Sequence, residues 1–230
     1  KKLAERTGLN IILGCGWYRE PYYEEHLNHW YVDEIAEQMI TDITEGIDDS
    51  GVKAGIIGEL GAHEKWVSPV EERVLRAGAR AHHKTGLTIA THGTNSPVAL
   101  DQLDILKEEK VDFNRVVVGH CGSWPYTEFH AEIVKRGAWL SFDNLSDTNP
   151  YELKKCLKLI EQIVKAGNLD RILLSHDVCY RTHYVSYGGC GYDFISTRLL
   201  DHLVGIGFTD EMFHQVMVDN PRRALTGDLT

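Results

Sequence analysis

Four apolar runs, spread over most of the chain, each end in a side chain of metal-ligand type: Ala54 to Gly61 carrying Glu59, Leu87 to His92, Val116 to His120, and Arg171 to Asp177. Runs of this length, with glycine turn signals close by, read as short buried strands. A lone buried carboxylate such as Glu59 needs a partner, and no matching strand-end cation is evident, so ligation is the better reading than a structural ion pair. Only folds that gather strand ends at one place can use such a pattern.

Helical segments separate the runs. Ser68-Pro69-Val70-Glu71 supplies an N-cap, a first-turn proline and a capping-box glutamate, which predicts a helix to about Thr85; Asn149-Pro150-Tyr151-Glu152 opens another, to about Ala166. Further helices are expected over about Val32–Asp48, Pro97–Glu109, Tyr126–Arg136 and Phe194–Val204, with a capped one from Thr209 and a last turn at Asn220-Pro221. Asn10–Cys15 and Trp139–Phe142 complete the strands, giving six strand-helix units. Strict alternation with apolar strands implies an α/β fold with a parallel sheet, either doubly wound or an eight-stranded barrel. Polar residues end nearly every strand, which favours the barrel, because it points all its strand ends at one mouth. The expected fold is therefore a (β/α)8 TIM barrel lacking its first two units, with residues 1–230 as one domain spanning strands 3 to 8. The two absent units are expected ahead of Lys1, since the chain opens in mid-helix. Strand alternation puts Asp177, Ser175 and Leu173 on one face and turns His176 away from the site.

With 43% apolar residues the chain can build a sizeable core. A net charge of -10 argues against a nucleic-acid or anionic-membrane surface, and leaves a small molecule as the expected substrate, with a homodimer as the assembly to test. Five scattered cysteines without a Cys-x-x-Cys pair favour a reducing compartment, and no signal peptide or long apolar run is present, so the cytoplasm is the default location. Cys15 and Cys121, near strand ends, read as structural thiols.

With these residues placed, the chain resembles the phosphotriesterase-related branch of the amidohydrolase superfamily. The similarity runs through Gly-Ile-Ile-x-Glu at Glu59, Thr-His at His92, Gly-His at His120, Ser-His-Asp-Val at Asp177, the Tyr-Gly-Gly-x-Gly-Tyr stretch from Tyr187 to Tyr192, and Asn220-Pro221. The resemblance implies two divalent metal ions, zinc first with manganese, cobalt or iron as alternatives, and a hydroxide bridging them. Glu59 would bridge both ions, His92 and His120 would hold the more exposed one, and Asp177 would bind the buried one and handle the proton. Two departures stand out. Many relatives carry a carboxylated lysine where this chain has Glu59, and the family's His-x-His pair is absent from these 230 residues. The resemblance implies a hydrolase cleaving a carboxylic ester or lactone, with phosphotriester cleavage as a side activity; amide cleavage, or a non-catalytic metal- or ligand-binding barrel, are the alternatives.

Trp17, Tyr18, Arg19, Trp124, Arg181 and Tyr187 fall in the loops after strands, where Trp17, Tyr18, Arg181 and Tyr187 are the candidates for substrate contact and simple loop packing is the alternative. Asp143 reads better as a cap or loop residue than as a ligand, His82-His83 as helix residues, and His26 and His29 as surface histidines.

Overall fold

Helix capping decides where the longest helices begin. In the computed structural model, which describes residues 1–228, α3 (Pro69–Thr85) starts at Ser68, whose Oγ accepts from Glu71 N at 3.3 Å while Glu71 Oε2 accepts from Ser68 N at 3.0 Å. The helix α6 (Pro150–Lys165) starts where Asn149 Oδ1 accepts from Glu152 N, and buries Leu153, Cys156, Leu159, Ile160 and Ile163 on one face. Both starts coincide with the sequence reading.

The six strands follow one another in chain order, and every described pairing is parallel. The residues fall into two compact units, the first comprising 1–93 and 97–116, the second 94–96 and 117–230.

The first unit contains α1 (Lys2–Thr7), β1 (Gly14–Cys15), α2 (Val32–Thr44), β2 (Ile56–Gly61), α3, β3 (Ile89–His92) and α4 (Ala99–Glu108). The first strand is shorter than Asn10–Cys15, because only Gly14 and Cys15 pair, with Ile56 and Ile57, while Ile11, Ile12 and Leu13 are exposed and gain nothing from a strand conformation. Between β2 and β3 the register slips: Ile57 faces Ile89, yet Leu60 faces Thr91. The extra residue falls at Gly58 and Glu59, a bulge that bends the strand and re-aims a side chain. Gly58 sits at φ 134°, and a Cβ there would lie 2.3 Å from Ala90 O, so no other residue fits.

In the second unit β4 (Val116–Val118) begins just ahead of the boundary, followed by α5 (Thr127–Arg136), β5 (Trp139–Phe142), α6 and β6 (Ile172–Leu174). Trp139, Leu140 and Phe142 are fully buried, as expected of a parallel strand covered on both faces. Beyond the loop, the expected helix splits into α7 (Phe194–Thr197) and α8 (Leu199–Val204). The turn expected at Asn220-Pro221 is instead helical: α9 (Asp210–His214) runs through a widened turn at Gln215–Asp219 into α10 (Asn220–Thr226). Proline is tolerated there as a first-turn residue, and buried Asn220 donates from Nδ2 to the carbonyls of Leu169 and Ile172, both at 2.8 Å, tying α10 to β6. Among the described residues no helix is long and apolar enough to cross a membrane.

Candidate metal centre

Glu59 sits in β2 at the bulge and His92 ends β3, and Glu59 Oε2 lies 3.6 Å from His92 Nδ1. The glutamate is not the buried group expected from its apolar run. Its side chain is 40% exposed against 5% for His92, because the bulge takes it out of the strand's alternation. On the other ring nitrogen, His92 Nε2 is 3.4 Å from the Tyr18 hydroxyl, and the two rings meet edge to face with centroids 4.6 Å apart. That arrangement turns Nδ1 toward the carboxylate.

Tyr18 is brought there by close backbone approach. A Cβ at Gly61 would sit 2.2 Å from Tyr18 O, so the loop after β1 lies directly against the end of β2. Glu71 fastens the same loop: besides closing the α3 cap, its buried carboxylate accepts from Glu20 N at 3.2 Å and His63 N at 2.8 Å. Arg19 stacks its guanidinium over the rings of Tyr18 and Tyr22.

In the second unit His120 follows β4 in a left-handed conformation, φ 56°. Asp143, one residue past β5, grips it twice: Oδ2 accepts from His120 N at 2.7 Å and Oδ1 pairs with His120 Nδ1 at 2.8 Å, both groups buried. A carboxylate on Nδ1 fixes the tautomer and leaves Nε2 as the lone-pair nitrogen, which is how metal-binding histidines are oriented. Asp143 thus has a positioning part rather than the cap or loop part expected. Its signal in the sequence was its place, directly after a buried strand, like the other strand-end residues.

Glu59 and His92 come from the first unit and His120 from the second, and all three are of metal-ligand type. A carboxylate with two imidazoles suits a divalent first-row cation. Asp177 is half-buried three residues past β6, at φ 51°, and its carbonyl lies 3.1 Å from His183 Nδ1.

Of the candidate substrate residues, Trp17 donates from Nε1 to Glu24 and packs edge-on against His26 and Trp30, while Arg181 stacks over the exposed ring of Tyr187, at 5.3 Å from its centroid. His26 and His29 are exposed, as expected, and His82 is buried in α3 with Nδ1 at 2.6 Å from Leu87 O. Burial pushes the Cys15 thiol up to about 12 and raises Cys121 well above the usual range, which makes both inert structural thiols.

A cavity of about 460 Å³ opens in the second unit, with Ser123, Asn144, Ser146, Thr148 and His176 among its walls. His176, expected to face away from the candidate ligands, lines this cavity, which none of Glu59, His92, His120 and Asp177 lines, and its Nε2 accepts from Ile195 N at 3.0 Å.

A profile of the phosphotriesterase family matches residues 1–225. The phosphotriesterase homology protein of Escherichia coli is 34% identical over 219 residues, 95% of this chain and 75% of that protein. Its crystal structure, with phosphate in the active site, superposes with a TM-score of 0.92 at 34% identity, over 96% of this chain and 77% of that one. A lactonase of Listeria monocytogenes superposes with a TM-score of 0.91 at 27% identity, covering 99% and 76% of the two chains. The human N-acetyltaurine hydrolase is 28% identical over 239 residues, 98% of this chain and 68% of the relative. The six parallel βα units described above are those of a (β/α)8 barrel with fewer strands, and the chain belongs to the phosphotriesterase family.

Proposed function

We propose that this family hydrolase is metal-dependent and cleaves a carboxylic ester or lactone. The observation that carries the reading is the orientation of the two imidazoles, His92 with Nδ1 at 3.6 Å from Glu59 Oε2 and His120 with Nδ1 held by buried Asp143, as ligand histidines are held. Bound divalent cations, zinc first, would lower the pKa of water from 15.7 to about 7 and polarise the substrate oxygen. Glu59, His92, His120 and Asp177 would hold two of them. His92 offers Nδ1, since Tyr18 faces its Nε2, whereas His120 offers Nε2, since Asp143 occupies its Nδ1. Asp177 takes the proton of the attacking water at its carboxylate and delivers it to the leaving group. Trp17, Tyr18, Arg181 and Tyr187 border the substrate, and Tyr18, at the ligand His92, is the member of that set with the strongest geometric support.

Lactone opening is the first choice, supported by the similarity to the Listeria lactonase, with phosphotriester cleavage as a side activity. The resemblance to N-acetyltaurine hydrolases supports amide cleavage as the second reading. A lactone, ester, amide and phosphotriester panel on zinc-loaded protein separates them. The expected result is fastest turnover of a lactone or carboxylic ester, abolished by chelation and restored by zinc. Turnover indifferent to chelation sinks the metal reading; amide cleavage outrunning every ester transfers the assignment.

A further inference from the structure

The glycine-rich stretch from Tyr187 to Tyr192 contains no candidate ligand, yet it bears on Asp177 through His183. The loop between them lies open: from Cys179 to Gly188 every residue is exposed except His183, which is half-buried. Its ring turns back to the start of the loop, where Nδ1 lies 3.1 Å from the carbonyl of Asp177 and 3.3 Å from Cys179 N. The two contacts need opposite tautomers, because a carbonyl only accepts and a backbone N–H only donates. The shorter one puts the ring proton on Nδ1.

His183 is itself held by the glycine-rich stretch. Gly191 N donates to His183 O at 2.9 Å, and a Cβ at Gly189 would lie 2.1 Å from the His183 carbonyl carbon, so any side chain there would push the two backbones apart. On its other side, His183 N donates to Tyr180 O at 2.9 Å, and the two rings stand edge to face with centroids 5.4 Å apart. Backbone and ring are thus fixed together. Asp177 gains from that hold, since it lies three residues beyond the end of β6 at φ 51°, a region that a residue other than glycine keeps where its surroundings impose it.

Resting on the assignment of proton transfer to Asp177, we propose that His183 is a positioning residue for that carboxylate: it donates from Nδ1 to the Asp177 carbonyl, and the glycine-rich stretch keeps it in place to do so. A carboxylate that must meet the proton of a bound water tolerates little displacement, because a shift of about 1 Å costs on the order of 10²-fold in rate.

The ring proton is read first, without turnover. Long-range proton–nitrogen correlation spectra of the intact zinc-loaded protein, labelled at histidine, are expected to show His183 protonated at Nδ1. Gly189→Ala is expected to speed the exchange of that proton with water at least about tenfold. A bare Nδ1, or exchange unmoved by Gly189→Ala, overturns the proposal. Kinetics follow in zinc-saturated protein, on the best substrate of the panel. His183→Leu is expected to lower kcat about 10 to 100-fold with KM little changed. His183→Asn, whose amide nitrogen can stand where Nδ1 stood, is expected to recover kcat to within about threefold of the parent, whereas His183→Gln, which reaches the Nε2 position instead, is not. A parental kcat in His183→Leu, or equal losses in all three variants, overturns the proposal, the second result because it marks packing alone. Should Asp177→Asn leave turnover intact, or no substrate be turned over, the proton assignment fails, while a protected Nδ1 proton that Gly189→Ala exposes still establishes His183 as the hold on the Asp177 backbone.

Discussion

Two pairs of side chains prepare imidazole ligands in different ways. His120 is held by a buried carboxylate through both its backbone and its ring, so its orientation is set before any cation arrives. His92 instead leans edge-on against Tyr18 and faces a Glu59 whose side chain is 40% exposed. The first arrangement is rigid because a buried carboxylate cannot leave its hydrogen-bond partner without a large desolvation cost. In the second, water also reaches the carboxylate, which makes its contact with His92 the weaker constraint.

The comparison is broken most severely from outside both pairs. If they hold cations while Asp177, itself a proposed ligand, also moves the proton, Asp177→Asn lowers kcat on the order of 10² to 10⁴-fold in zinc-saturated protein, a loss that added zinc does not restore. Turnover that survives this substitution removes Asp177 from the proton's route. Next comes the rigid pair. Asp143→Asn is expected to weaken metal affinity roughly 10 to 100-fold, measured by competition with a chelator, because the His120 ring loses the partner that fixes it. An affinity unchanged by that substitution would mean that packing alone orients His120. On the looser side, Tyr18→Phe removes the long hydroxyl contact to His92 Nε2 at 3.4 Å. About 0.5 kcal/mol, roughly twofold in metal affinity, is the expected loss; a loss as large as that from Asp143→Asn would erase the contrast.

The smallest effect concerns stability in acid. His130 in α5 is buried, with Nε2 at 2.8 Å from Cys121 O, and burial lowers its pKa from the usual 6.5 while that carbonyl contact partly opposes the shift. The unfolded chain therefore binds the proton first as pH falls. The stability contribution is complete above pH 6.5 and is lost as pH drops toward the folded value. His130→Gln should flatten the acid side of a denaturation midpoint measured between pH 7.5 and 5.5, and an unchanged slope would show that His130 titrates alike in both states.

Much of the fold could be read locally. The Ser68–Glu71 and Asn149–Glu152 signals placed helix starts correctly, since a cap involves only neighbours in sequence. The apolar run at Trp139–Phe142 was likewise sufficient for a strand. Where partners lie far along the chain, the reading fell short. Asn10 to Leu13 has strand composition but no ladder, and Asn220-Pro221 has turn composition but continues a helix. At the candidate centre, residue types announced Glu59, His92 and His120, while the part of Asp143 was not announced, because a carboxylate after a strand looks the same whether it caps a turn or grips an imidazole 23 residues away.

The sequence by itself determined which stretches hold most of the strands and where the capped helices start, since hydrophobic runs and caps are properties of adjacent residues. Only the tertiary structure decided that a bulge takes Glu59 out of its strand's alternation, that His92 and His120 present different ring nitrogens, and that His176 lines a cavity. Each of those depends on register, backbone conformation or a hydrogen-bond partner distant in sequence, and the directions of side chains are fixed by the groups that surround them.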